Sequence, residues 1–317
     1  MASRRCWTRS KRRLNRPRFW LPANPAAWQA GLGDLPGHRV RVRGRPAGRL
    51  SLFLASPAAG VDSAPRALIV GGGPAGDAVS AGLRDGAFNG EIVLLGSEPE
   101  LPYERPHLSK GYLMGTVPRT RLGLRPPEMY RELGIELRLG ERCVDLGLER
   151  REAVLESGTT VPWDRLCIAT GSAARRLPEL SDAMYLRELP DAESLRAHIG
   201  RGDELDVIGA GFIGCEVAAV AVQKGCHVRV HEALEQPLLR VLGPELGAYL
   251  AAVHRSHGVD LHLGVSALPA VDGPLLVAVG SEPRTELAER AGLAVDRGVE
   301  VGPAPGLRGR SHDGGQR

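Results

Sequence analysis

At 317 residues, 43% hydrophobic and 25% charged, the chain has the balance of a globular protein and the length for two ordinary domains. The net charge of +4 is uneven: residues 1–64 carry thirteen Lys/Arg against Asp34 and Asp62 (+11), and the remainder carries 28 basic against 35 acidic residues (−7). No apolar run approaches the roughly 18 residues of a membrane span. No secretory leader stands at the N-terminus, and Cys6, Cys143, Cys167, Cys215 and Cys226 lack metal or paired-thiol spacing. No membrane span, zinc site or secreted disulfide framework is therefore expected, and a reducing cytoplasm fits best.

Residues 1–64 open with "RRCWTRSKRRLNRPRFW", which has neither helical nor strand periodicity, and the Pro/Gly/Arg-rich stretch after it builds no core. The segment reads as a disordered or mis-started extension, with a nucleic-acid arm or an organellar transit segment as the alternatives. It lacks the interleaved aromatics of a single-strand binder, so no nucleic-acid partner is expected.

From Ala67 the character changes. "ALIV" runs into the turn "GGGPAG", then a helical stretch "DAVSAGLRDG", then a second apolar strand "EIVLLG". The same events recur about 140 residues later as "LDVIG", "GAGFIGCEVAAVAVQKG" and "HVRVHE". Two copies of strand, glycine turn, helix and strand predict two nucleotide-binding domains of Rossmann type.

The turns divide their labour. Gly71 permits the tight turn, Gly73 lets the backbone approach a pyrophosphate, and Gly76 lets the helix pack on the strand, with its N-terminal N–H groups aimed at phosphate. Gly209, Gly211 and Gly214 repeat the pattern. The second strand of each copy should end in an acid for the adenosine ribose. In the second copy this is Glu232, which favours NAD over NADP, unless it is only a solvated strand end. In the first copy "VLLGSE" offers Ser97 and Glu98.

The segments "GGGPAG", "PYERPHLSK", "WDRLCIATGS", "YLRELPDAESL", "GAGFIGCEVAA" and "VAVGSEPRTELAERAGLAVDRG" follow one another in that order. Together they make the chain, over residues 65 to about 302, resemble the FAD-dependent pyridine nucleotide-disulfide oxidoreductases of ferredoxin/rubredoxin reductase type. These are the NADH-dependent reductases that serve Rieske dioxygenases and bacterial cytochromes P450. The resemblance implies FAD and NAD(H) as cofactors. It places Lys110, one of only three lysines, beside the flavin ring, with Glu216 facing it as a catalytic pair. A surface lysine after a proline turn, and a helix N-terminal glutamate favoured by the dipole, are the plain alternatives. A carboxylate partner would keep a buried lysine charged, and a cation there favours reduced flavin.

The resemblance also puts Ala75 in the FAD turn, Cys143 beside adenine, and Arg187 near the flavin and pyrophosphate, with Arg105 a further phosphate candidate. Ala169, Thr170 and Gly171 match the crossing from the FAD to the NAD domain, and Gly280 matches the return beside the nicotinamide. Relatives that reduce disulfides carry a redox cysteine pair, and none stands here between Gly76 and Tyr112. Electrons are then expected to leave for a ferredoxin or Rieske-type iron–sulfur protein.

The chain also departs from the pattern. Ser97 stands where relatives have an acid, and His107 makes the loop "RPHL" rather than "RPPL". "PAVDG" replaces a longer β-hairpin, and "GPAPGLRGRSHDGGQR" replaces the segment whose aspartate holds the flavin ribityl chain and the C-terminal interface domain after it. The expectation is an α/β chain of two Rossmann-like domains, truncated at its C-terminus. An FAD domain would span 65–177 plus about 281–305, an NAD domain 178–280, with an extension at 1–64 and a disordered tail at 306–317. Its reaction would pass hydride from NADH to FAD and single electrons to an iron–sulfur partner. An NADH oxidase or diaphorase, or a non-catalytic NAD-binding remnant, is the alternative.

Overall fold

A computed structural model of the chain describes residues 51–54, 64–267, 271 and 273–301. Most of the expected extension, part of the "PAVDG" junction and the expected tail lie outside the described residues. In chain order the first elements are β1 (Ser51–Leu54), β2 (Arg66–Val70), α1 (Pro74–Asp85) and β3 (Glu91–Gly96). A short 3-10 turn, Arg105–Ser109, leads into α2 (Gly111–Met114), then α3 (Pro127–Glu132) and β4 (Ile135–Leu139). A meander of β5 (Cys143–Gly147), β6 (Glu152–Leu155) and β7 (Thr160–Pro162) precedes β8 (Arg165–Ile168).

β8, β2, β3 and β4 are neighbours in that order in one parallel sheet, with β2 and β3 in register from Arg66 opposite Glu91 to Val70 opposite Leu95. The strands read as continuous apolar runs because both faces are covered. Leu68, Val93 and Leu166 pack against the meander side, with Leu155 and Trp163, while Ile69, Ile92 and Leu94 pack against the helices, with Val79 and Tyr130. Each such fully buried aliphatic side chain contributes about 1.5–3 kcal/mol. Asp77, in the first turn of α1, turns inward: its Oδ1 accepts from Arg125 Nε at 2.8 Å and from Tyr130 Oη at 2.7 Å, tying α1 to α3.

β1 lies within the stretch read as a coreless extension. Its four residues pair antiparallel with β8, Ser51 opposite Ile168, and so belong to the edge of the sheet. An open strand edge offers unpaired backbone groups that a short apolar run can satisfy, and the arginine-rich composition around "SLFL" hides that run.

β9 (Ser172–Ala174) carries the chain away from this sheet, followed by α4 (Leu189–Ile199), β10 (Glu204–Ile208), α5 (Phe212–Gln223), β11 (His227–Glu232), α6 (Leu239–Ser256) and β12 (Asp260–Leu263). β13 (Leu275–Val277) completes a second parallel sheet in the order β12, β11, β10, β13. β14 (Ser281–Pro283) returns antiparallel to β9, and α7 (Glu286–Arg290) packs on β5. The described residues all fall in one compact unit.

"HVRVHE" alternates, and the alternation is used. Val228 and Val230 enter the core with Leu205, Val207 and Val217, while Arg229 and His231 turn to the other face. There the buried Asp206 accepts from Arg229 Nη2 at 2.7 Å and pairs with His231 Nε2 at 2.8 Å. His231 also stacks on His262 of the neighbouring strand, with ring centroids 5.0 Å apart.

The proline loop does not pack where its place in the chain suggests. Tyr103, Leu108, Tyr112, Leu113 and Leu122 join the core of the second sheet, beside Leu189, Leu195 and Val217. The first half thus lends the second a hydrophobic plug, and the residues between Leu108 and Tyr112 are held firmly against α5.

Candidate functional site

Both glycine turns sit at the carboxyl ends of parallel strands, where open α/β sheets bind ligands. Gly71 has φ +132°, and a Cβ there would lie 2.1 Å from Ala169 O; Gly209 has φ +100° and the same conflict, 2.6 Å from Ala278 O. A Cβ on Gly76 or Gly214 would lie 1.9 Å from the carbonyl oxygen of Gly71 or Gly209 respectively. These four glycines are needed for chain packing. Gly73 differs, because a Cβ there meets nothing within 4 Å, and Gly211 is nearly as open. Each of these two is the N-cap of its helix and brings no capping side chain, so the first N–H groups of α1 and α5 stay available.

Beside the first turn lies a cleft of about 620 Å³. Gly71, Gly73, Ala75, Ser97, Glu98, Arg105, Cys143, Ala169, Thr170, Gly171 and Arg187, all singled out in the sequence, border it. Gly76 is buried behind the turn. Glu98 is not free: Oε1 accepts from Arg105 Nη2 at 2.6 Å and Oε2 from Tyr103 Oη at 2.6 Å. Burial and the bond to Glu98 push the Tyr103 hydroxyl well above its ordinary pKa, which keeps it a donor. Tyr103 Oη in turn accepts from Leu189 N–H at 3.0 Å, and Arg105 Nη1 donates to Arg187 O at 2.7 Å. The network fastens the cleft wall to the start of α4.

Arg187 donates Nε–H to Ser172 O at 2.8 Å. Burial, then the nearby Arg105 and Arg284 guanidiniums, lower its pKa. Glu98 pairs with Arg105 and Glu188 with Arg284, and three arginines against two carboxylates leave the wall a net positive charge that suits an anion such as a pyrophosphate. Arg284, Arg142 and Arg290 also border the cleft, and sequence reasoning missed all three. The "SEPR" stretch gave no signal for Arg284, because 38 arginines make any one inconspicuous. Its N–H donates to Gly171 O at 3.0 Å, its carbonyl accepts from Thr170 Oγ1 at 2.8 Å, and its Nη2 pairs with Glu188 at 2.6 Å. It thereby clamps the outward crossing, the return crossing and the start of α4. Gly280 O, on the return, accepts from Arg175 N–H at 3.0 Å.

At the second turn Glu232 reaches back to the glycine loop. Oε2 accepts from Ala210 N–H at 2.6 Å and Oε1 from Leu234 N–H at 2.9 Å. Lys110 and Glu216 meet: Nζ lies 2.7 Å from Glu216 Oε1. The lysine side chain is 50% exposed rather than buried, so the pair faces solvent on one side. Neither residue borders the large cleft. His107 pairs with Glu104 at 3.2 Å on the surface. The thiols of Cys143, Cys167 and Cys215 are each pushed up to about 11 by burial, so they remain protonated at neutral pH. No helix among the described residues is long and apolar enough to cross a membrane.

Comparison with known proteins agrees with this architecture. Rhodocoxin reductase from Rhodococcus erythropolis is 38% identical over 74% of this chain and 60% of its own length. Putidaredoxin reductase CamA from Pseudomonas putida is 36% identical over 74% of this chain and 62% of its own. The crystal structure of a covalent putidaredoxin reductase–putidaredoxin complex superposes with a TM-score of 0.71 at 33% identity, covering 75% of this chain and 64% of that one. A ferredoxin reductase from Rhodopseudomonas palustris gives 0.70 at 36% identity, covering 74% and 63%. The chain thus spans about three fifths of the length of these relatives. The family model for pyridine nucleotide-disulphide oxidoreductases matches residues 65–304, about three quarters of the sequence, and the chain belongs to that family.

Proposed function

We propose that the chain is a flavoprotein oxidoreductase that takes hydride from NADH onto FAD and passes single electrons to a ferredoxin-type iron–sulfur protein in the cytoplasm. The observation that carries the reading is the Lys110–Glu216 pair, set where the proline loop beside the first dinucleotide turn meets the helix of the second. We assign residues 65–177 with about 281–305 to FAD binding and 178–280 to NAD binding. The "LPYERPHLSKGYL" loop belongs to the first by sequence and packs on the second. A bound flavin supplies the chemistry that accepts hydride and releases electrons singly. The protein supplies position and charge.

On this reading the open Gly73, the N–H groups of α1 and the wall of Arg105, Arg187 and Arg284 hold the FAD pyrophosphate. Ser97 and the backbone at Cys143 flank its adenosine. Glu98 is drawn into the wall, so its part is to orient Arg105 as much as to meet the ribose. Gly211 and the start of α5 hold the NADH pyrophosphate, and Glu232 accepts from the adenosine ribose and repels a 2′-phosphate. Lys110 keeps a positive charge at the edge of the reaction centre, balanced by Glu216. Among the described residues Cys143, Cys167, Cys215 and Cys226 are all free thiols, which supports an outside acceptor over an internal disulfide. The ferredoxin–NAD(+) reductase component of a Burkholderia cepacia anthranilate dioxygenase system, 37% identical, supports an iron–sulfur acceptor.

The test is NADH-dependent reduction of a purified two-iron ferredoxin with FAD supplied, with NADPH alongside. NADH should support transfer, and NADPH at least about tenfold less, as one carboxylate's repulsion of a phosphate implies. Transfer that proceeds equally without FAD, or none at all, would contradict the proposal.

A further inference from the structure

Glu216 has two oxygens, and the Lys110 pair uses only one. Ser109 Oγ donates to Oε2 at 2.5 Å, while Lys110 Nζ holds Oε1 at 2.7 Å. We infer that Ser109 is a positioning residue for the reaction: it fixes the Glu216 carboxylate so that Lys110 presents its charge in one place. This rests on reading Lys110–Glu216 as the hydride-transfer site.

The geometry favours a built device over a chance contact. Ser109 is only 5% exposed. Leu108 and Tyr112 on either side of the Ser109–Lys110 pair are buried in the second core, as is Val217 next to Glu216. Both backbones are therefore anchored, and the serine removes the rotation of the Glu216 side chain, which leaves the Lys110 ammonium a fixed oxygen to meet. The lysine needs that help. Half exposed, it has as its other partner Pro106 O at 3.4 Å, and an exposed ion pair alone holds geometry weakly. A hydrogen bond to a charged group is among the stronger kinds, and this one joins neighbouring residues of one loop to one carboxylate.

The experiment uses the full chain labelled with ¹⁵N-lysine. Three lysines give three side-chain ammonium signals, and Lys110 is the one lost in Lys110→Arg. In the wild type the Lys110 ammonium protons should be protected from exchange with water. Ser109→Ala should raise their exchange about tenfold, Ser109→Thr, which keeps the hydroxyl, should restore protection, and Ser109→Cys, with a weak donor of similar size, should fall between. The cysteine variant carries the test if the alanine chain does not fold. With FAD bound, Ser109→Ala should slow flavin reduction by NADH about tenfold and change KM for NADH less than about twofold. A folded Ser109→Ala or Ser109→Cys chain with wild-type exchange at Lys110 overturns the inference. Failure of the wild type to take up FAD would instead overturn the functional reading, and the exchange measurement would still decide the role of Ser109.

Discussion

The two glycine turns of this chain are nearly the same object, and their surroundings are not. In each, the first glycine has positive φ beneath a crossing strand's carbonyl, the middle one is open, and the last touches the first. At the end of the adjacent strand they diverge. Glu232 folds back onto its own turn through Ala210 N–H. Glu98 turns away to Tyr103 and Arg105, and arginines make up the wall instead. Backbone sterics hold a turn nearly constant, while the charges around it can be rearranged to suit different parts of a ligand.

That contrast can be broken glycine by glycine. Gly71→Ala and Gly76→Ala should each cost about 3 kcal/mol or more in urea unfolding, since both drive a Cβ into backbone. Gly73→Ala should change stability by only about 0.5 kcal/mol and act on FAD retention instead. Equal losses at all three positions would mean that the open position is not the ligand face.

Among the described residues the halves also each bury one carboxylate, Asp77 in α1 and Asp206 in β10. Asp77→Ala leaves the buried Tyr130 hydroxyl and Arg125 without their acceptor and should cost about 3 kcal/mol, while Asp206→Ala should cost less, about 2 kcal/mol, because its partners are only partly buried and Arg229 keeps Glu204. Asp206 carries a pH signature. Burial alone would raise the Asp206 pKa, but bonds from Arg229 and His231 outweigh it and hold the value below the ordinary 3.8. A depressed folded pKa means that its stabilisation is complete above the unfolded value and is lost as pH falls through the folded one. Unfolding followed against pH should show that acid loss in the wild type, and Asp206→Asn should flatten it.

The two strand ends give a smaller and sharper difference. Glu232→Ala should weaken NAD⁺ binding about tenfold and reduce the preference over NADP⁺, because it removes both the ribose partner and the brace on the turn. Glu98→Ala should weaken FAD binding by less, about threefold, through loss of order in Arg105. Isothermal titration of each variant with each dinucleotide checks both. Smallest of all, Arg284→Lys should keep the charge but lose the guanidinium bond from Nη2 to Glu188, lowering FAD affinity about twofold.

Much of this was legible in the sequence where chemistry and spacing coincide. "GGGPAG" and "GAGFIG" announced both turns, because few residues tolerate such contacts. "LSK" and the glutamate after the second turn announced the Lys110–Glu216 pair through family likeness. What stayed hidden depends on long-range packing. Local pattern could not say that Tyr103, Leu108 and Tyr112 would enter the other half's core. Nor could it pick Arg284 from 38 arginines, or show that Ser109 shares a carboxylate with its neighbour. "SLFL" was masked by the composition of the stretch around it, although an open strand edge was there to receive it.

On the proposed function, two dinucleotides meet at Lys110 and Glu216. The decisive experiment adds one equivalent of NADH, under argon, to the purified chain reconstituted with FAD. The flavin's visible band should bleach, and Lys110→Ala should slow the bleaching without releasing the flavin. A chain that retains no FAD, or one that holds FAD and binds NADH while the band stays unchanged, would contradict that function.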